Sequence, residues 1–154
     1  MINFSAIAKE LFLGSYPQNE LDVERMSAAG VSGVLSLQTE EDFEQWVVDW
    51  SALQQLYQEA GIEVQRIPMV DFNKRDIELH LEKAVNALDA MIKNGRRVYV
   101  HCTAGKQRAP TVVTAYLAWC HDWPLDKAQH HVTQRRVCEP YVDVIESAAL
   151  LRVG

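Results

Sequence analysis

The segment that most constrains the fold spans residues 98–111 and reads VYVHCTAGKQRAPT. Its short apolar beginning is typical of a buried strand, which delivers His101 and Cys102 at its end. Residues 111–120 are apolar almost all round, and this pattern predicts a helix that is buried on every side. Only a short loop, residues 103–107, follows Cys102, so the sequence predicts a buried strand that turns almost directly into a buried helix.

Strand-like runs and helical patterns alternate along the rest of the chain. Strands are predicted over residues 11–13, 33–37, 62–67 and 97–100, each bounded by glycine or polar turn residues. Helices are predicted over residues 19–29, 46–60, 111–120, 125–135 and 141–151, and a further helix begins near Asp76 as its cap. This alternation predicts an α/β fold in which a central, mostly parallel sheet of four to five strands is flanked by helices.

Length and composition predict one globular domain over residues 1–154. Hydrophobic residues make up 48% of the chain and charged residues 23%, which excludes a disordered or fibrous protein. No apolar run in the sequence approaches the ~18 residues that a membrane-spanning helix needs. The formal net charge of −6 argues against nucleic acids and anionic membranes as partners.

Cysteine usage bears on the cellular compartment. The three cysteines, Cys102, Cys120 and Cys138, are an odd number, and none pairs in a Cys-x-x-Cys spacing. The first residues lack the basic segment and long apolar stretch of an export signal. We therefore expect reduced thiols and a cytoplasmic location. The oligomeric state and any redox regulation of Cys102 by the other two cysteines stay open.

The loop after the central strand combines three features that suit phosphate chemistry. A thiol loses its proton more easily at a helix N-terminus or beside a cation, so Cys102 is the candidate nucleophile. A short loop between a strand and a helix turns backbone N–H groups inward, and Gly105 allows the tight curl that this needs. Arg108 supplies a planar fork that can hold two phosphate oxygens at once. A thiolate on the floor of such a loop lies beneath the phosphorus, in position for in-line attack.

Hydrolysis of a phosphate ester also needs a general acid, because the leaving oxygen must receive a proton. Asp71 is the candidate, in the loop before the third predicted helix, and Asp76 is the alternative. Asp71 has no competing structural task, whereas Asp76 suits a helix N-cap. The acidic run within residues 40–44 is interpreted as the first turn of a helix, where negative charge is favoured.

These residues resemble the His-Cys-x5-Arg signature of the cysteine-dependent phosphatases, and the chain is similar to their compact dual-specificity group. Asp71 lies 31 positions before Cys102, a spacing similar to that of acid and nucleophile in this group. The resemblance implies a phosphatase that works through a phosphocysteine intermediate, with Cys102, Asp71 and Arg108 as catalytic residues. The predicted phosphate-binding residues are Thr103, Ala104, Gly105, Lys106, Gln107 and Arg108.

Two further residues are expected to support the loop. His101 is expected to hydrogen-bond the loop backbone and to hold its shape. Ala109 stands where most relatives carry Ser or Thr and offers no hydroxyl to the departing thiolate, so Thr111 is a candidate substitute. The five histidines show no paired metal-ligand spacing, and we expect neither a metal nor another cofactor.

Longer stretches resemble the phosphatase domain of the plant starch-excess-type glucan phosphatases. The strings LFLGS, LSLQTEEDFEQWVVDW, VDFN and HCTAGKQRAPT carry this resemblance, which covers nearly the whole chain. It implies that Phe72 lies against a sugar ring and that Trp46 is one of two aromatics in a recognition loop. Gln45 and Glu139 stand where that group has further aromatics, which counts against a glucan substrate.

The sequence therefore ranks the functions, with a phosphorylated substrate as the partner in each. A phosphatase for phosphotyrosine, phosphoserine and phosphothreonine in proteins comes first. The alternative is a phosphatase for glucans, sugar phosphates or phosphoinositides, since a lysine at the position of Lys106 also occurs in phosphoinositide phosphatases. A module that binds phosphate without turnover comes last, because the three catalytic residues are all present.

Overall fold

The computed structural model describes residues 1–152. Its strands are β1 (Phe4–Ala8), β2 (Leu11–Gly14), β3 (Gly33–Ser36), β4 (Glu63–Arg66) and β5 (Val98–His101). Its helices are α1 (Glu20–Ala28), α2 (Glu40–Gln45), α3 (Trp50–Glu59), α4 (Lys74–Lys93), α5 (Arg108–Cys120), α6 (Leu125–Arg135) and α7 (Val142–Ala149).

The strands form one five-stranded sheet in the order β1-β2-β5-β3-β4. Strand β5 is parallel to both β2 and β3, and β3 is parallel to β4. Strand β1 pairs antiparallel with β2 at one edge of the sheet. This confirms the predicted α/β fold with a mostly parallel sheet. The sequence did not predict β1, because only Ile7 of its five residues is buried and the strand lacks a clear alternation.

Helices cover both faces of the sheet and bury a separate apolar cluster on each. On one face α1 and α3 pack over a cluster that includes Met26, Leu53 and Tyr99. On the other face α4, α5, α6 and α7 pack over a larger cluster that includes Leu88 and Val113. The strands β2, β3 and β5 are buried along their whole length, as parallel strands covered on both faces must be.

Two predicted helix starts were wrong. The predicted helix over residues 46–60 is interrupted: α2 ends at Gln45, Val47 has a φ of 54°, and α3 begins after Asp49, whose side chain caps it. A left-handed residue cannot continue a right-handed helix. The cap of α4 is Asn73, whose side chain accepts from the backbone N–H of Asp76, so Asp76 lies inside the first turn.

The register of the sheet determines where the loops meet. Gly14 of β2 and Ser36 of β3 both align with His101 at the end of β5. Because these strands are parallel, the loops that follow them emerge at the same edge of the sheet, where α5 also begins. The N-terminus of α5 adds the positive end of a helix dipole at this edge.

Candidate active site

The loop from Cys102 to Arg108 is held by its outward-facing carbonyl groups. The donors to the carbonyls of residues 103–107 are, in order, the Tyr16 backbone N–H (3.0 Å), Arg136 Nη2 (3.0 Å), Arg136 Nε (2.7 Å), the Glu139 backbone N–H (2.7 Å) and the Thr111 hydroxyl (2.7 Å). With each carbonyl bound from outside, the backbone N–H groups of the loop are left for an anion. This arrangement fits the predicted phosphate-binding loop, whose binding of phosphate stays a prediction.

Arg136 binds two of these carbonyls and connects the loop to the edge strand β1 and the residue before it. Its Nη2 also donates to Oδ1 of Asn3 at 2.6 Å, and its Nη1 donates to the hydroxyl of Ser5 at 3.4 Å. The residue is 9% exposed, and no carboxylate within residues 1–152 pairs with it. A buried positive charge therefore lies behind the loop.

Gly105 is required at the tightest point of the loop. Its φ of 71° is a conformation that favours glycine, and a Cβ there would lie 2.6 Å from the backbone carbonyl of Gly14. The two backbones approach so closely that only glycine fits at this position. The tight curl is the one that the sequence predicted for Gly105. Lys106 follows at the outer turn, where its side chain is exposed.

Cys102 is 3% exposed on the floor of a cleft with a volume of about 460 Å³. The floor is formed by Cys102, Thr103, Ala104, Gln107 and Arg108. One wall contains Thr39, Glu41, Gln45 and Trp46, and the other contains Val70, Asp71 and Phe72. The predicted nucleophile, arginine, acid and recognition aromatics are thus brought together.

Arg108 is 1% exposed, and its two edges have different partners. Its Nη1 donates to Asp42 Oδ2 at 2.7 Å, to the Met69 carbonyl at 2.8 Å and to the Leu37 carbonyl at 3.5 Å. Its Nη2 donates to the Thr103 hydroxyl at 3.2 Å. The Nη1 edge is anchored in the protein, so the Nε and Nη2 edge is the one that can serve a phosphate.

The two candidate acids have different surroundings. Asp71 lies over the floor, with Oδ1 3.3 Å from Arg108 Nε and about a third of its side chain exposed. Asp76 instead accepts from the backbone N–H of Val70 at 2.8 Å and lies 3.4 Å from His80. Asp76 therefore holds the loop in shape, whereas Asp71 is the carboxyl group that faces the cleft.

His101 is buried beneath the loop and stays neutral. Burial, with the positive charge of Arg108 as a smaller cause, lowers the pKa of His101 from 6.5 to about 4. Its Nδ1 lies 2.9 Å from the carbonyl of Cys102, which can only accept, so Nδ1 carries the hydrogen. This contact is the one that the sequence predicted for His101.

Thr111 supports the loop but does not serve the thiolate. Its hydroxyl donates to the Gln107 carbonyl and accepts from the backbone N–H of Tyr141 at 2.9 Å. The single hydroxyl hydrogen is used at Gln107, which corrects the expectation that Thr111 substitutes for the hydroxyl missing at Ala109.

Sequence reasoning missed three residues of the site. Asp42 was interpreted only as part of a helix turn, although it pairs with Arg108. Arg136 gave no signal that separates it from a surface arginine. Tyr16 was not singled out, although its ring lies 6.3 Å from that of Trp46. Each contact joins residues far apart in the chain, and no periodic pattern records such pairs.

Comparison with known proteins gives this arrangement a family. The sequence profile of the dual specificity phosphatase catalytic domain matches residues 11–142, which include the acid loop, the phosphate loop, and α4 and β5 between them. This chain belongs to the dual specificity phosphatase family. The predicted resemblance is thereby confirmed.

Relatives of this dual specificity phosphatase include enzymes named for different substrates. Phosphoglucan phosphatase DSP4, amyloplastic, from Castanea sativa is 35% identical over 96% of this chain and 40% of that protein. Dual specificity protein phosphatase 2 from Mus musculus is 31% identical over 82% of this chain and 35% of that protein. The chain spans less than half the length of these relatives.

The fold of this dual specificity phosphatase also occurs in solved structures. The crystal structure of PTPMT1 in complex with PI(5)P superposes with a TM-score of 0.79, covers 96% of this chain and 95% of that one, and is 24% identical. At this identity the likeness establishes the fold alone.

Residues 1–152 contain no group of three or more His, Cys, Asp or Glu side chains placed to hold a metal ion. No helix in this range is long and apolar enough to cross a membrane. Cys102, Cys120 and Cys138 are all free thiols.

Proposed function

We propose that this chain is a cysteine-dependent phosphatase that removes phosphate from phosphorylated glucans. In the first step Sγ of Cys102 forms a bond to phosphorus while the bond from phosphorus to the leaving oxygen breaks. Asp71 gives its proton to that oxygen. Asp71 then takes a proton from water, whose oxygen attacks the phosphocysteine and releases phosphate and the Cys102 thiolate.

Charge on the transferred phosphoryl group is met by the floor of the cleft. The Nε and Nη2 edge of Arg108 and the backbone N–H groups of residues 103–107 would surround the equatorial oxygens. Oδ1 of Asp71 lies 3.3 Å from Nε of Arg108. An entering phosphate binds Nε in its place, and the carboxyl group of Asp71 then moves toward the leaving oxygen. The same short distance keeps the acid close to its point of use.

Phe72 carries the proposal of a glucan substrate. The ring follows the acid Asp71 directly, is 74% exposed, and is held with a backbone φ of 59°. An aromatic residue at such a φ is disfavoured by about 1–2 kcal/mol, and an exposed ring gains little from packing. A flat apolar surface beside the scissile bond suits the face of a sugar ring, and stacking on a sugar would give this exposed ring a role.

A second aromatic surface lies on the opposite wall. Trp46 is 47% exposed, and the half-buried Tyr16 lies beside it at 6.3 Å between ring centroids. Tyr16 supplies an aromatic neighbour that the sequence did not expect, since Gln45 stands where the resemblance placed one. Tyr16 thereby answers one of the two departures that counted against a glucan substrate, and Glu139 remains the other.

The charges of the cleft also support a neutral sugar over a lipid headgroup or an acidic peptide. Among the described residues that line it, Arg108 is the one cation, and Glu41, Asp42 and Asp71 are anionic. Lys106, which the sequence linked to phosphoinositides, lies outside this lining. A substrate with a second phosphate would meet no countercharge beside the first.

Phosphoproteins are the second candidate. The cleft of about 460 Å³ has room for the side chains of phosphoserine and phosphothreonine as well as phosphotyrosine. The sequence ranked this substrate first, and relatives named as protein phosphatases share the family. A cytoplasmic location is retained in the proposal, because a reducing compartment would keep the three cysteines as thiols.

The proposal is tested by phosphate release from phosphorylated amylopectin and from a phosphotyrosyl peptide, measured side by side. We expect kcat/KM to favour the glucan by at least about 10-fold, the size of one good apolar contact. Cys102→Ser supplies the blank and is expected to abolish release from both while still binding orthophosphate. A preference for the peptide would contradict the glucan assignment, and activity of Cys102→Ser near wild type would contradict the mechanism.

A further inference from the structure

Asp42 lines the cleft beside Arg108 and pairs with Nη1 of its guanidinium, away from Nε and Nη2. Its Oδ2 accepts from Arg108 Nη1 at 2.7 Å and from the backbone N–H of Thr39 at 2.8 Å. The side chain of Asp42 is 8% exposed and that of Arg108 is 1% exposed. The pair is therefore shielded from water, and neither partner can leave without exposing or stranding a charge.

The same nitrogen of Arg108 joins three segments of the site. Besides Asp42 on α2, Nη1 reaches the carbonyl of Leu37, just after β3, and that of Met69, two residues before the acid Asp71. Asp42 is the one charged partner of Nη1 among the described residues. The Asp42 carboxylate therefore fixes the plane of the Arg108 guanidinium. Through the bond from Nη1 to Met69, it also fixes the position where the acid loop begins.

The charge of Asp42 should weaken phosphate binding if electrostatics alone decided. A carboxylate near the anion site opposes a dianion and neutralises part of the charge that Arg108 offers. Without Asp42, Nη1 would keep two neutral carbonyl partners, and the guanidinium could rotate away from the orientation that presents Nε and Nη2 to the cleft. Removal of the Asp42 carboxylate should therefore raise phosphate affinity if its charge is what matters. It should lower phosphate affinity if its hold on Arg108 is what matters.

We propose that Asp42 is a positioning residue that fixes the phosphate-binding edge of Arg108. The inference rests on the proposed function only in that Arg108 binds a phosphate group.

The test compares Asp42→Asn with Glu44→Gln. Both remove one negative charge from α2, but Glu44 is exposed and has no part in the site. Orthophosphate binding is measured by calorimetry, and kcat and KM are measured with p-nitrophenyl phosphate. We expect Asp42→Asn to raise the Kd of orthophosphate and the KM by about 10- to 100-fold, and Glu44→Gln to leave both at the wild-type values.

A Kd that is unchanged or lower in Asp42→Asn would overturn the inference, because removal of the opposing charge would then be the whole effect. Glu40→Ala separates positioning from helix stability, since it removes an acidic side chain from the first turn of α2, outside the cleft, and keeps the Asp42 carboxylate. An equal loss of orthophosphate affinity in Glu40→Ala would also overturn it. Wild-type protein that binds orthophosphate without hydrolysing the ester would contradict the proposed function and leave this comparison of affinities intact.

Discussion

The floor and the walls of the cleft are built in different ways. On the floor, each carbonyl of residues 103–107 is bound from outside by a residue of another segment, and Cys102 and Arg108 are buried. The walls expose Trp46 and Phe72; Phe72 is left-handed, and so is Val47, which directly follows Trp46. Many hydrogen bonds fix the geometry of the floor. The walls present apolar surface, which lowers the stability of the folded protein.

This difference separates the two tasks of the site. Rigid donors are needed where charge develops during the reaction, because they need no rearrangement at that moment. Surface that selects a substrate can vary without disturbing those donors. We therefore expect changes on the floor to affect every substrate alike and changes on the walls to affect substrates selectively.

The largest expected effect belongs to Asp71, a wall residue that performs chemistry. Asp71→Asn should lower kcat by about 100- to 10,000-fold for a glucan or alkyl phosphate, because the leaving alkoxide then lacks a proton. For p-nitrophenyl phosphate, whose leaving group needs little help, the loss should be much smaller. Asp76→Asn is the comparison, since it loosens the loop and should slow both substrates to the same extent; the reverse pattern would assign the acid to Asp76.

Arg136 tests how far the floor depends on its outer bonds. Arg136→Lys keeps the positive charge but cannot bind two carbonyls with one fork, and we expect kcat/KM to fall by about 10- to 100-fold for all substrates. The matched control is Arg135→Lys on the neighbouring, exposed position of α6, where no effect on kcat/KM is expected. A loss confined to one substrate would break the division between floor and walls.

The smallest effect is expected from Phe72. Phe72→Ala should lower kcat/KM for the glucan by about 10-fold, the worth of one aromatic contact, and leave p-nitrophenyl phosphate unchanged. Phe72→Gly should show the same loss and also raise the free energy of unfolding by about 1 kcal/mol, since glycine relieves the left-handed backbone. Leu79→Ala, an exposed apolar residue on α4, controls for general surface changes. Equal losses on both substrates would place Phe72 in the chemistry rather than in recognition.

The sequence predicted those functional residues that lie close together in the chain. Cys102, Gly105 and Arg108 fall within one short segment whose strand, loop and helix can be recognised from apolar patterns alone. Asp71 follows from its place in a polar loop before a helix. These residues need no knowledge of distant contacts, and the structure brings all of them to one edge of the sheet.

Other parts of the molecule depend on contacts between distant residues. Asp42 and Arg108 are 66 positions apart, and Arg136 is 31 positions from Gly105. Neither pairing changes the local composition, so the sequence did not predict either contact. The break at Val47 was missed for a related reason, because neither glycine nor proline marks a left-handed turn there.

The bond between Arg136 and Asn3 has a consequence for the response of the protein to heat. Asn3 lies just before β1, an edge strand that pairs on one side only. Edge segments open locally at a lower free energy than buried central strands, so β1 is expected to detach before the rest of the sheet. Detachment would release Arg136 and loosen the phosphate loop while β2, β3 and β5 stay paired. We therefore expect catalysis to be lost at a lower temperature than the one at which the central strands unfold.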